Sequence, residues 1–389
     1  MVNTKAPRWQ QIYAIPGMLI FGTATVVTQK FLFEQQGQGS AKYGYHGFHK
    51  PWFQTDTMFM GMTLSLLAYL ILGKKDRKET NSEVQETKKC NWKLIFGGAL
   101  PAICDLSATS LMNVQLLYIQ ASVWQMLRGS MVIFSSLFCA FILKRPHFPY
   151  MWWSILAVVI ALTVVGVACV CSTGAGKEGV SQGRVIMAVF LTIVAQIIQA
   201  SQLVIEDFIL HDLDTHPLQL VGLKGFWGWV LCTSICFPIV QFTHSEEGNG
   251  VHEDLIDTFA MLKSNSIILV FIVLYIVFIL LYNIGGMLVT NVFSAVHRTI
   301  LEGLRTLCIW GVQLILYYAM HNNHPSIGEP WTRWSFLQLA GFSLLFTGSL
   351  MYNKIIRLPC FTYPDDIDIM KSSQPLLSST NDQSSSVKI

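Results

Sequence analysis

The sequence predicts an all-α integral membrane protein whose ten transmembrane helices form two inverted five-helix repeats around a central cavity. Three observations carry this expectation. The 389-residue chain is 52% hydrophobic and only 13% charged, about half the charged share of a soluble domain. Its apolar residues gather into runs long enough to cross a bilayer. A polar pattern also recurs inside those runs: Asp105 precedes Leu127-Arg128 as Asn283 precedes Leu304-Arg305. The following apolar run opens on Trp153-Ser154-Ile155-Leu156 in the first half and on Trp334-Ser335-Phe336-Leu337 in the second.

A helix rises 1.5 Å per residue, so roughly 20 apolar residues cross a hydrocarbon core of about 30 Å. Ten such runs are read at 12–27, 53–72, 94–117, 123–143, 151–171, 185–208, 220–240, 267–288, 292–320 and 335–352. The run at 292–320 is over-long, so it either tilts or has its polar first turns in a loop. Lys5 and Arg8 before the first run resemble a signal peptide, but no small-x-small cleavage site follows, and the run is read as a retained span. Five spans per half is an odd number, so the second half enters the membrane with opposite polarity. The repeat is therefore inverted, an architecture that secondary carriers use to open one site to either side. The units are 1–172 and 173–353, followed by a disordered, serine-rich tail at 354–389.

Orientation follows from the basic residues. Lys5, Arg8, the basic second loop, Lys144, Arg145 and the tail lie on one side. Lys30, Lys42, Lys50, Lys177, Arg184, Lys263 and Arg333 lie on the other. The positive-inside bias places both termini in the cytosol. None of the nine cysteines falls in an expected exoplasmic loop, so no disulfide framework is expected. No metal spacing, phosphate loop or nucleophile elbow appears, so neither enzyme chemistry nor a bound cofactor or metal is expected, and no nucleic-acid partner.

Charged residues inside a span are costly and usually functional. Asp105, Thr109 and Asn113 recur at four-residue intervals and share one helical face, with Pro101 one turn earlier. Arg128 lies deep in the fourth span beside Gln125, and Asp105 or an anionic solute would each neutralise it. Arg298, Glu302 and Arg305 share one face of the ninth span. Substrate-binding or gating candidates are thus Asp105, Thr109, Asn113, Arg128, Asn283, Glu302 and Arg305, with Gln125, Arg298 and Lys224 secondary. A pairing of these charges purely for assembly is the competing reading. Glu206 and Asp207 read as a solvated helix end, with Lys224 snorkelling to the same surface. If both acids lie outside the site, the excess charge there is positive, favouring an anionic or zwitterionic solute. His297 reads as a packed interfacial histidine.

The stretch Ala102-Ile103-Cys104-Asp105-Leu106-Ser107-Ala108-Thr109-Ser110-Leu111-Met112, continued by Gln125-Met126-Leu127-Arg128-Gly129, resembles the third and fourth helices of the EamA-like drug/metabolite transporter superfamily. More narrowly it resembles solute carrier family 35, subfamily F, in its lysosomal and mitochondrial membrane-protein branch. Ala195-Gln196-Ile197-Ile198, His216-Pro217-Leu218, Leu304-Arg305-Thr306 and Tyr352-Asn353 extend the likeness over nearly all of the first 353 residues. The resemblance implies ten helices in two inverted repeats and a central cavity. The chain departs from vacuolar relatives in lacking exoplasmic-loop cysteines, and it carries no clean nucleotide-recognition motif.

Leu376-Leu377 in the tail has the form of a dileucine sorting signal, with Ser372 where an acidic residue is usual. Phosphorylation of that serine would supply the charge. The expectation is a multi-pass carrier of a small polar solute working by alternating access. A lysosomal or endosomal membrane is favoured, with Golgi or mitochondrial membranes as alternatives, and sorting adaptors bind the tail. The competing functions are a nucleotide-sugar transporter of the Golgi or endoplasmic reticulum and a non-transporting membrane adaptor.

Overall fold

In the computed structural model the described residues are 8–71, 92–115, 118, 128–144, 148–173, 181–213, 215–243, 252–320, 331, 333–352, 356–361 and 363. Gln125, Leu376 and Leu377 lie outside them, as does the side chain of Asn113. The described residues are all-α apart from one short hairpin. Among them seven helices are long and apolar enough to cross a membrane, and two shorter apolar helices accompany them.

In chain order the elements are α1 (Arg8–Glu34), β1 (Gln36–Gln38), β2 (Tyr45–Gly47), α2 (Pro51–Thr63), α3 (Trp92–Gly97) and α4 (Ala99–Gln115). There follow α5 (Met131–Phe141), α6 (Pro149–Thr173), α7 (Gln182–Asp212), α8 (Pro217–Leu231) and α9 (Phe237–Phe242). The chain ends with α10 (Leu255–Ser264), α11 (Ser266–Val292), α12 (Ala295–Met320) and α13 (Ser335–Tyr352). A 3₁₀ turn, Arg128–Ser130, leads into α5, and a π-helical turn, Cys232–Cys236, joins α8 to α9. The over-long run at 292–320 is resolved by a break at Phe293 and Ser294, which puts its first residues in a link between α11 and α12.

Proline and glycine positions follow local backbone rules. Pro51 and Pro217 open α2 and α8, where a missing N–H is harmless. Helices approach most closely at glycine. A Cβ at Gly285 of α11 would stand 2.6 Å from Met18 N of α1, and one at Gly225 of α8 would stand 2.5 Å from Thr63 N of α2. Backbone-to-backbone packing of this kind is how helices associate where lipid removes the hydrophobic drive. The main pairs are α1 with α11, α4 with α7, α2 with α8, and α6 with α13.

Among the described residues the hairpin is the one β element. Gln36, Gly37 and Gln38 pair antiparallel with Gly47, His46 and Tyr45. Gly44 turns the loop at φ +69°, a backbone region that glycine enters without strain. The hairpin packs on α10, far away in sequence. Asp257 of α10 accepts from Lys50 Nζ at 2.7 Å and from the Ser40 amide at 2.8 Å, and His46 Nε2 lies 3.1 Å away. Burial opposes the charge on Asp257, yet Lys50, the Ser40 amide and His46 together hold its carboxyl below the ordinary value. Glu253 accepts from the Trp52 and Phe53 amides at 2.9 and 2.8 Å. A carboxylate there satisfies orphan donors at the positive end of α2.

At the far end of the bundle His211 of α7 contacts the Asn291 carbonyl at 3.1 Å. Tyr69 packs on His216 with ring centroids 5.0 Å apart, and Tyr363 on Tyr150 at 4.8 Å. Each end is thus tied together by segments distant in sequence.

Candidate functional site

The middle of the bundle holds a chain of buried charges contributed by four helices. Asp105 of α4 lies 3.0 Å from Lys224 Nζ of α8. The same ammonium donates to Glu206 Oε1 of α7 at 3.0 Å, and Arg298 Nη1 of α12 donates to Glu206 Oε2 at 2.6 Å. Gln202 Nε2, one turn before Glu206, donates to Glu206 Oε1 at 2.9 Å. Glu206 is fully buried and Lys224 is 1% exposed. Two expectations are corrected here. Glu206 and Asp207 are not a solvated helix end, because both are buried. Lys224 does not snorkel, because two carboxylates hold it inside. Asp207 instead lies 3.3 Å from His211 Nδ1.

A second cluster adjoins the first. Arg305 Nη2 lies 2.7 Å from Glu302 Oε2, three residues apart on α12. The Tyr282 hydroxyl donates to Glu302, and the Arg305 guanidinium lies 4.7 Å from the Tyr282 ring centre. That geometry adds cation–π attraction to the ion pair. Arg128 lies within electrostatic reach of Arg305, Glu302, Tyr282 and Asp105. Arg298 likewise reaches Tyr282 and Glu302, so it joins the two clusters.

Of the residues expected at the site, Asp105, Arg128, Glu302, Arg305, Arg298 and Lys224 come together. Thr109 is half-buried on α4, one turn beyond Asp105. Asn283 is buried on α11, and its amide donates to Ile279 O of its own helix at 2.9 Å. Asp105 pairs with Lys224 and lies within electrostatic reach of Arg128 as well. Pro101 lies in the first turn of α4, just beyond the helix break at Gly98. His297 is packed as expected, between Phe293 at 5.5 Å and Tyr352 at 5.1 Å, with Ser294 Oγ at 2.7 Å from Nδ1.

Sequence reasoning missed the hub position of Glu206, the contribution of Tyr282, and a polar stripe on α7. Thr192, Gln196, Gln199, Gln202 and Glu206 follow one another at three- and four-residue spacing, which was readable in the sequence. Thr192 bonds Gln115 of α4, and Gln196 Nε2 reaches Met112 Sδ at 3.6 Å. Gln115 Nε2 and the Oε1 atoms of Gln196, Gln199 and Gln202 are buried without a hydrogen-bond partner. Buried amide groups in that state are matched to a polar ligand or to water.

Fold and site together define a multi-pass, all-α membrane protein with a buried charged centre. A family model described as "Purine nucleobase transmembrane transport" matches residues 11–242. Solute carrier family 35 member F6 of Rattus norvegicus is 34% identical over 352 residues, covering 89% of each chain. The Homo sapiens protein of the same name is 32% identical over 350 residues, covering 89% of this chain and 90% of its own. A solved crystal structure aligns with a TM-score of 0.51 over 87% of this chain and 97% of that one, at 12% identity, a likeness of fold alone. The chain belongs to solute carrier family 35, subfamily F, within the drug/metabolite transporter superfamily. These relatives bear the name of solute carriers.

Proposed function

We propose that this transporter is a secondary carrier that moves a small polar solute across an endomembrane by alternating access, with ten spans in two inverted repeats, 1–172 and 173–353. The spans are α1; α2 with 65–71; α3–α4; α5; α6; α7; α8–α9; α11; α12; and α13. Helix pairing supports this reading. Shifting every span number by five turns pair 1–8 into 6–3, pair 1–9 into 6–4 and pair 2–8 into 7–3, and all six pairs pack together. Pairs 2–7, 4–9 and 5–10 map onto themselves and are packed as well. A scaffold with two mirror-related arrangements is what alternating access needs. The meeting of the 35–50 and 252–265 segments supports a common, exoplasmic side for them, with both termini cytosolic.

The single observation that carries the mechanism is the buried network linking Asp105, Lys224, Glu206 and Arg298 to Glu302, Arg305 and Arg128. Among the described residues of the network, four cations and three acids meet, a net charge of plus one. This favours an anionic or zwitterionic solute docking at Arg128 and Arg305. Removing one partner of a buried ion pair costs about 3–5 kcal/mol. A solute that takes over the vacated role lowers that cost, so exchange of partners is easiest in the loaded carrier. Asp105, Thr109, Asn113, Glu302 and Asn283 complete the lining or the gates.

A neutral nucleobase is the second reading. It rests on the orphaned amide atoms of Gln115, Gln196, Gln199 and Gln202, which offer donors and acceptors without charge. The matching family model names purine nucleobases. Uptake by proteoliposomes of labelled purine nucleobases, amino acids, small carboxylates and nucleotide sugars separates these readings. Flux that disappears in folded Arg128→Ala and Arg305→Ala proteins supports the central site. Flux unaffected by both removes it, and no flux for any solute favours the adaptor reading. The tail pair Leu376-Leu377 supports an endolysosomal address through sorting adaptors, checked by imaging a Leu376→Ala/Leu377→Ala chain.

A further inference from the structure

The second span carries an acid that the central network does not use. Asp56 lies in Thr55-Asp56-Thr57, less than two turns from the start of α2, and is half-buried against the seventh span. There the helix widens into the π turn Cys232–Cys236. Such single turns are rare in helices and concentrate at functional positions. Thr233 Oγ1 lies 3.1 Å from Asp56 Oδ1 and 2.8 Å from the Trp229 carbonyl. The side chains of Trp229 and Cys232 also hydrogen-bond the carboxyl.

One hydroxyl hydrogen serves two acceptors in this arrangement. An ionised Asp56 takes the Thr233 hydrogen. A protonated Asp56 donates to Thr233 Oγ1, and Thr233 then donates to the Trp229 carbonyl. Both states are satisfied with the same heavy-atom positions, which is what a reversible proton site requires.

The acids of the central network differ. Asp105 has Lys224, Glu206 has Lys224 and Arg298, and Glu302 has Arg305. Each faces a fixed cation that favours its ionised form. Among the described residues, the titratable groups around Asp56 are Cys232 and Cys236 of the π turn, Tyr275 of α11 through Gln54, and Glu253 at the start of α2. None of these is a cation. Lys50, the nearest base in sequence, is held by Asp257 at 2.7 Å. Ser110 of α4 closes the third side through Cys236. A carboxylate of this kind in a membrane-spanning helix is most cheaply neutralised by a proton. The N–H, S–H and O–H hydrogens turned toward it are the wrong polarity for a hard metal cation, which needs several oxygen lone pairs.

We propose that Asp56 is the proton-carrying group of the transport cycle. It takes a proton from exoplasmic water to form an O–H bond at its carboxylate and gives that proton up when the spans rearrange. Thr233 reports the charge state to the seventh span. This rests on the carrier reading above, and it assigns the proton to Asp56 rather than to Asp105 or Glu302, which are ion-paired.

The purified full-length protein is titrated in detergent while infrared difference spectroscopy follows the carbonyl stretch of protonated carboxylic acids. The expected band titrates in the wild type, shifts in Asp56→Glu and is missing in Asp56→Asn. A wild type without the band, or a band unchanged in Asp56→Asn, overturns the proposal. In proteoliposomes a gradient of one pH unit sustains about tenfold accumulation of a neutral solute carried with one proton. With a labelled purine nucleobase as probe, Asp56→Asn loses this accumulation and keeps solute exchange, while Asp56→Glu retains both. Accumulation in Asp56→Asn equal to wild type overturns the proposal. If the wild type moves no solute, the carrier reading fails, and the infrared titration alone decides whether Asp56 holds a proton.

Discussion

The Lys224 ammonium lies 3.0 Å from Asp105 Oδ2, tying the middle of α8 to the middle of α4 inside the apolar bundle. The same nitrogen lies 3.0 Å from Glu206, so one lysine compensates two carboxylates.

Lys224→Met leaves Asp105 and Glu206 short of a cation, and the expected loss of stability is about 3–5 kcal/mol. Thermal unfolding in detergent measures it. Adding Asp105→Asn to Lys224→Met recovers part of the loss, because one of the exposed charges is then removed. A double-mutant cycle with no coupling would contradict the contact.

Gly22 borders the second cluster. A Cβ there would stand 2.8 Å from the Tyr282 ring, which stacks on Arg305 and bonds Glu302. Gly22→Ala is expected to lower solute flux several-fold while the protein stays folded by size-exclusion chromatography. Tyr282→Phe removes a hydrogen bond to a charged acceptor, and a loss of about 1.5–3 kcal/mol is expected in thermal unfolding.

The hairpin clamp responds to acid in a defined direction. Asp257 has a folded carboxyl held below its ordinary value, so its stabilising contribution is complete above the unfolded value of about 3.9 and fades as pH falls through the folded one. Hydrogen exchange at residues 36–47, corrected for the intrinsic pH dependence, is therefore expected to show constant protection from neutral pH down to about 5 and a loss only below about 4. Asp257→Asn lacks this step and exchanges faster throughout. A loss of protection already at about pH 6 in the wild type would show that another group controls the clamp.

Gly285→Leu separates α1 from α11, because even a Cβ at Gly285 stands 2.6 Å from Met18 N. No side-chain rotamer relieves a clash with backbone. The expected result is a protein that no longer elutes as a single folded species, whereas Gly311→Ala on α12, where a Cβ meets nothing within 4 Å, is tolerated.

Much of this was legible in the chain. A membrane core admits only self-satisfied backbone, so apolar runs of span length translate directly into helices. Asp105, Arg128, Glu302 and Arg305 stood out because a charge inside such a run is conspicuous. The same signal was present at Asp56 and in the glutamine series of α7. There the acid lay close to a span end and the amides are uncharged, so neither stood out against the charges at the centre.

The sequence by itself determined the all-α membrane class and the approximate helix positions, since both depend on residues near one another in the chain. Only the tertiary structure decided the pairings. It gave Lys224 to Asp105 and Glu206 and bonded Asn283 to its own helix. It seated the hairpin on Asp257 and turned Thr233 toward Asp56. The physical reason is that a partner is chosen by the relative rotation and depth of the helices. In a bilayer, apolar residues face both lipid and neighbouring helices, so hydrophobic periodicity does not report that rotation.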